Sequence, residues 1–186
     1  MDYNKLPEEY KNWASPNNVR PEFKHLSVEE TKKLVLSKAI KLIVTMAHIN
    51  GDFNFSSLIR SANGFGISDV YYFGKKKFDK RGAIGTYHYI NVNYLKSIEE
   101  LKELKHKYRF VALENNIGKN PVPLHNYVWK ENSMFIVGEE GNGLTEEILE
   151  LCDDFVEIPM LGSISSFNVA VAASIAMYDY SSKMAK

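Results

Sequence analysis

The stretch FIVGEEGNGLTEEILELCDDFVEIPMLGSISSFNVAVAASIAMYDY, from Phe135 to Tyr180, decides how this chain folds. Two short apolar runs, MFIVG and DFVEIPM, each lead into a loop of glycines or small polar residues, and each loop is followed by a helix-forming run. Ligands of α/β proteins bind at strand ends, so two such loops in succession outline a ligand site.

Outward from this block the same alternation continues. IKLIVTMA, from Ile40 to Ala47, is apolar on both alternating faces and suits a central strand covered on both sides. HINGDFN follows as a loop, and FSSLIRSANGF reads as a helix ended by Gly64 or Gly66. DVYYFG from Asp69 is a second strand. After Asn93, Leu95, Ile98, Leu101 and Leu104 fall at helical spacing and return the chain to a third strand, FVALE. NNIGKNPVPLHNYVW is a loop, because Pro121 and Pro123 exclude a helix or a central strand. MFIVG and DFVEIPM are the fourth and fifth strands, separated by the short helix TEEILELC.

Near the N-terminus, Ser27 and Glu30 form a capping box that opens a helix to about Ser37. Residues 1–26, rich in Pro, Asn and aromatics, read as an N-terminal arm. Residues 27–186 read as a single domain. Its class is α/β, with a mostly parallel sheet flanked by helices.

The closing helix is unusual. Val169, Val171, Ala172, Ala173, Ile175, Ala176 and Met177 leave little polar face, so it should be buried nearly all round. The rest of the chain or a second subunit could complete that burial, and the pattern alone does not choose.

At 186 residues the chain fits one domain able to bury roughly 70% of its unfolded surface. Cys152 is the only cysteine, which forbids an intramolecular disulfide and points to a reducing compartment. It reads as a small apolar residue at a helix end. The N-terminus lacks the basic start and apolar run of a signal peptide, and no apolar stretch reaches the ~20 residues of a membrane span. A cytoplasmic protein without membrane contact is expected. Lys+Arg and Asp+Glu balance at 23 each, so net charge names no partner. Locally, Lys75, Lys76, Lys77, Lys80 and Arg81 cluster around Phe78, with Tyr87, His88 and Tyr89 close behind. Such a cluster is either a solvated loop or a contact for a polyanion.

Several chemistries lack their motifs. GEEGNG, from Gly138 to Gly143, has the wrong glycine order for a dinucleotide fingerprint, and no P-loop occurs. The five histidines form no metal-ligand spacing, and no GxSxG elbow is present. What remains are polar residues on three loops or helix starts: Asn54 and Arg60; Glu140; Ser166 and Asn168. Each alone has a structural reading, with Asn54 or Ser166 as a helix cap and Glu140 bonded to loop amides.

In order and spacing, NFSSLIRSANGFGISDVYYFG, VGEEGNGL and IPMLGSISSFNVAVAASIAMYD resemble the three motifs of the TrmH class of SPOUT RNA methyltransferases. The resemblance covers about residues 40–180. Ile158, Pro159, Met160, Gly162, Ser166, Asn168, Val169 and Ala172 all match the third motif. The first motif departs, with Phe53 and the Ser56, Ser57 pair where small residues and a Pro are more usual. Phe167 and Ala170 stand where Leu and Ser are common.

The resemblance implies a C-terminal deep trefoil knot around residues 135–183 and methyl transfer from S-adenosylmethionine to a ribose 2′-hydroxyl of RNA, with tRNA favoured and rRNA open. It implies a cofactor pocket of Leu113, Glu114, Gly138, Glu139, Gly141, Gly143, Ile158, Met160, Gly162, Ser166, Phe167 and Asn168. Arg60 becomes the residue closest to catalysis, with Asn54, Glu140, Ser166 and Asn168 around it. It also implies a homodimer packed through the knot helices, no metal, and RNA contacts from Lys75, Lys76, Lys77, Lys80, Arg81 and Arg60. A catalytically silent RNA-binding protein of the same fold is the alternative, and methylation of a base nitrogen is a third reading.

Overall fold

The computed structural model describes residues 19–49, 53–115, 118–138 and 141–184. Most of the expected N-terminal arm therefore lies outside the described residues, as do Glu139 and Glu140. Of the arm's last part, Pro21–Phe23 forms a single 3-10 turn.

Helix α1 (Val28–Ser37) opens as expected: the Glu30 amide donates to Ser27 Oγ at 3.2 Å and the Ser27 amide donates to the Glu30 carboxylate at 2.8 Å. It leads to β1 (Ile40–Ile49), α2 (Phe53–Gly64), β2 (Ile67–Gly74), β3 (Asn91–Tyr94) and the short helix α3 (Ile98–Lys102). After β4 (Arg109–Leu113) come β5 (Val122–Pro123), β6 (Ser133–Val137), α4 (Glu146–Leu151), β7 (Asp154–Glu157) and the long α5 (Val169–Met184). The strands form one sheet in the order β3-β2-β1-β6-β4-β7-β5, and every pairing is parallel.

The two faces of β1 explain its unbroken apolar run. Leu42, Val44 and Met46 share a core with Phe55, Leu58, Ile59 and Ala62 of α2 and with Ala173, Ala176 and Met177 of α5. Ile43 and Ala47 point the other way, towards Leu101 of α3 and Ile148 and Leu149 of α4. Side chains alternate along a strand, so a strand buried on both sides has no polar row. Each fully buried Leu or Phe contributes about 1.5–3 kcal/mol. Leu58→Ala, beneath α2, would cost about 2–5 kcal/mol by loss of contact and cavity formation.

Five strands were expected and seven are found among the described residues. The additions are β3, whose NVNY sequence is half polar, and β5, of two residues, both at the sheet's edges. Pro123 is tolerated there because an edge strand has one side without a ladder partner. The fifth expected strand is shorter than DFVEIPM, since β7 ends at Glu157 ahead of Pro159. The helix expected straight after Asn93 begins only at Ile98, and a 3-10 turn over Glu103–His106 finishes it. Finally, β1 runs past Ala47 through a register shift, with His48 at φ 53°. That bulge turns the strand end beside Phe73, whose ring meets the His48 edge at 4.9 Å.

Candidate functional site

All strands run the same way, so their carboxyl ends share one rim. At that rim the ends of β4, β6 and β7 and the start of α5 enclose a cavity of about 730 Å³. Leu113, Val137, Leu144, Ile158, Phe167 and Ala172 give it apolar walls, while Asn115, Asn142, Ser165, Ser166 and Asn168 supply polar atoms. Glu114 is the one ionisable side chain among the described lining residues. A volume of that size suits a drug-sized ligand, and the single negative group favours one carrying positive charge.

The glycine loop is closed by its own backbone. A Cβ at Gly138 would fall on the main chain of Gly143, and a Cβ at Gly143, where φ is +62°, would fall on the Glu114 carboxylate. Glu114 fixes the arrangement by accepting from the Leu144 amide at 2.9 Å and from the Asn115 amide at 3.0 Å. The glycines were expected to let the backbone approach an adenosine. Gly138 and Gly143 are needed first so that the loop can fold against itself and Glu114.

Asn115 was not foreseen. Its Oδ1 accepts from the Ile158 amide and its Nδ2 donates to the Ile158 carbonyl, both at 3.2 Å, and Nδ2 also reaches the Ser165 carbonyl at 3.4 Å. One side-chain amide thus mimics a strand neighbour and holds both ends of the segment joining β7 to α5. The Asn-Asn pair directly after FVALE was the available signal.

At the other wall, Asn168 caps α5: its Oδ1 accepts from the Ala170 amide at 3.0 Å and the Val171 amide at 3.3 Å. Ser166 was the expected cap, and Asn168 takes that place because it directly precedes the helix. Its Nδ2 donates to Asn54 Oδ1 at 2.9 Å, bringing the start of α2 to the cavity mouth. The structure therefore unites Asn54, Ser166 and Asn168 with Leu113, Glu114, Gly138, Gly141, Gly143, Ile158 and Phe167. Met160 and Gly162 lie between these walls but outside the lining. Arg60 lies on the exposed side of α2 and lines neither this cavity nor the groove beside it.

That groove, of about 480 Å³, runs between α2 and α5. Asn54, Ser57 and Ser61 face Val171, Ser174, Ile175 and Tyr178, and Asn168 belongs to both cavities. Ser174 Oγ meets Ser61 Oγ at 2.9 Å across its floor. The expectation that α5 is buried all round fails within one chain, because Val171 is 47% and Tyr178 64% exposed.

The basic loop follows β2 on the same rim. Phe78 anchors it, its ring 4.8 Å from Phe55 and 5.7 Å from Tyr72. Gly82 presses on α2, where a Cβ would strike Ser56 Oγ. Arg81 is committed to Asp79, with Nε 2.8–2.9 Å from both carboxylate oxygens, which holds that carboxyl below its usual value. Lys75, Lys76, Lys77 and Lys80 are exposed.

Burial pushes the Cys152 thiol up to about 12, which disfavours the thiolate at neutral pH. No group of three or more His, Cys, Asp or Glu among the described residues is placed to hold a metal.

Comparison with known proteins gives this geometry a context. The SpoU rRNA methylase family matches residues 41–178. A tRNA (guanosine(18)-2'-O)-methyltransferase of Aquifex aeolicus is 29% identical over 151 residues, covering 78% of this chain and 71% of that protein. A 23S rRNA (guanosine-2'-O-)-methyltransferase of Bordetella pertussis is 33% identical over 99 residues, covering 53% of this chain and 38% of that protein. The SpoU methyltransferase AviRb of Streptomyces viridochromogenes, solved with AdoMet, superimposes with a TM-score of 0.68 at 22% identity, covering 78% of this chain and 58% of that one.

Proposed function

The chain belongs to the SpoU rRNA methylase family, and from that premise we propose that it transfers a methyl group from S-adenosylmethionine to a ribose 2′-hydroxyl of RNA, with tRNA favoured. The observation that carries the reading is the Asn54–Asn168 hydrogen bond at the mouth of the cavity. It joins the first and third motifs at a pocket whose walls suit an adenosine and whose one charge among the described lining residues is negative.

S-adenosylmethionine, when bound, supplies a methyl group on a positively charged sulfur with a good leaving group behind it. The chain's task is to place the ribose oxygen in line and exclude water. Leu113, Ile158 and Phe167 supply apolar walls, and main-chain groups of the glycine loop can meet polar edges. Arg60 holds the target phosphate bidentately and stabilises the developing alkoxide. A guanidinium stays protonated at neutral pH and is a poor base, so the 2′-hydroxyl proton passes to an acceptor other than Arg60. Ser166, exposed at the mouth, continues the polar ring in this reading, and Glu140, the remaining residue of the set, lies outside the described residues.

Two further features belong to the proposal. The connection from Ile158 to Asn168 is threaded as a trefoil knot, a reading supported by the Asn115 bonds to Ile158 and Ser165. The exposed stripe of Val171 and Tyr178 packs on the same helix of a second copy, and Arg60 serves a site shared between subunits. Incubation with labelled S-adenosylmethionine and total RNA, followed by mapping of ribose methylation, tests the function. The expected product is a 2′-O-methylated tRNA nucleotide; a modified rRNA position would change the substrate, and absence of cofactor binding by calorimetry would end the reading.

A further inference from the structure

Five cations and one carboxylate stand in the seven residues KKKFDKR from Lys75 to Arg81, a local balance of +4 in a chain whose net charge is zero. Several lysines elsewhere pair with acids, as Lys41 does with Glu131, Lys105 with Asp153 and Lys119 with Glu146. None of Lys75, Lys76, Lys77 or Lys80 has such a partner among the described residues. Two of them lie over aromatic faces instead: Lys76 Nζ is 5.7 Å from the Tyr94 ring centroid and Lys80 Nζ is 4.9 Å from that of Tyr87. Tyr94 is fixed by its hydroxyl, which donates to the Gly74 carbonyl at 3.1 Å. His88 is exposed, and its ring lies 4.2 Å from Tyr87 at 40°.

We propose that Tyr94 of the edge strand β3, together with Tyr87 and His88 of the 3-10 turn before it and with Lys76 and Lys80 over two of the rings, forms a stacking platform for unpaired nucleotides flanking the methylated residue. The inference rests on the RNA-methylating reading and deepens it by naming the form in which the RNA is taken. Cationic side chains interleaved with fixed rings are the means by which proteins hold single strands, each stacked base adding to affinity whatever its identity. A paired helix offers phosphates but hides its base faces, so rings on the protein would gain nothing from it. A lysine over a ring covers the aromatic face in the free protein. On binding, its flexible stem swings the ammonium to a phosphate and leaves the ring for a base.

The position fits. Tyr94 ends β3 and Lys76 follows β2, two to four strands from the ends of β6 and β4, roughly 10–20 Å along the rim at the ordinary strand spacing, while Tyr87 and His88 lie on the 3-10 turn before β3, against α2. A few nucleotides span that gap, so a base on the platform and a ribose at the Asn54–Asn168 corner belong to one short segment. Partial burial, then Lys80 and Lys32, push the His88 imidazole below its usual value.

The test uses the full chain and a short fluorescein-labelled RNA of mixed sequence, single-stranded or annealed to its complement, with binding followed by anisotropy without cofactor. The single strand is expected to bind at least about tenfold more tightly than the duplex. His88→Ala should weaken single-strand binding about 5- to 100-fold and leave duplex binding unchanged, while His88→Tyr restores it. Lys80→Gln should lower the dependence on salt between about 50 and 200 mM by roughly one phosphate contact. Equal affinity for duplex and single strand, or an unchanged His88→Ala variant, overturns the proposal. S-adenosylmethionine calorimetry on the same preparations confirms that each variant is folded. It also separates the two claims: cofactor binding and transfer without strand preference would remove the platform and keep the enzyme, and strand preference without transfer would do the reverse.

Discussion

Asn54 and Asn168, 114 residues apart, share a hydrogen bond of 2.9 Å at the point where the start of α2 meets the start of α5. Asn168 does two jobs there, since its carbonyl oxygen caps α5 while its amide nitrogen reaches Asn54. The two can be separated. Asn168→Ala should lower stability by about 1 kcal/mol through loss of the cap and also abolish transfer. Asn54→Ala leaves the cap intact and should lose transfer with little change in thermal unfolding. Denaturation curves beside methylation assays decide this, and equal stability loss in both variants would contradict it.

Glu114 is expected to act on the cofactor through the loop it holds. Glu114→Ala frees the Leu144 and Asn115 amides, a loss of about 1.5–3 kcal/mol for bonds to a charged group. S-adenosylmethionine affinity should fall more than tenfold. Gly143→Ala should do likewise, because its new Cβ meets the same carboxylate. Calorimetry on both variants provides the check.

Arg60→Ala should abolish methyl transfer and leave S-adenosylmethionine affinity nearly intact, since Arg60 does not line the cavity proposed for the cofactor. If the site is shared, mixing this variant with Asn54→Ala should recover part of the activity in the mixed dimer. Full activity of the single variant removes Arg60 from the mechanism.

Tyr178→Glu places a charge on the exposed stripe of α5. Light scattering should then report a monomer where the parent chain is expected to give a dimer, with transfer lost as well. A dimer that survives the change would show that another face forms it.

Acid should find a weak point at Asp154. Its carboxylate accepts from Arg109 at 2.6 and 2.7 Å and from the Tyr127 hydroxyl at 2.6 Å. The Arg109 bonds, ahead of that from Tyr127, hold its pKa below the ordinary 3.8 against the opposing effect of burial. A carboxyl depressed in the folded state contributes stability above its unfolded pKa and loses it as pH falls through the folded value. Asp154→Asn should therefore be less stable at neutral pH, and the gap should narrow below pH 3.8. Urea midpoints across that range measure it.

Much of this arrangement was legible in the chain. Continuous apolar runs located the buried strands, and the Ser27–Glu30 capping box located α1 to the residue. The loops after MFIVG and DFVEIPM do meet in one cavity. What escaped depends on neighbours distant in sequence. Strand β3 exists because β2 offers it a ladder, and NVNY has no apolar pattern of its own. Asn115 looks like any loop asparagine until Ile158 and Ser165 are beside it. Arg60 stood out by motif, yet no local rule says which side of α2 faces the pocket.

The Asn115 clasp sets a timetable for the chain. Its partners lie 43 and 50 residues downstream, so no earlier fragment can hold the pocket shut. During synthesis the first strands can pair while the ligand site is still missing, and contacts of such separation form slowly because loop closure precedes their reward. On the proposed reading, cofactor binding is thus a report on completion: a molecule that retains S-adenosylmethionine has already brought its last helix home.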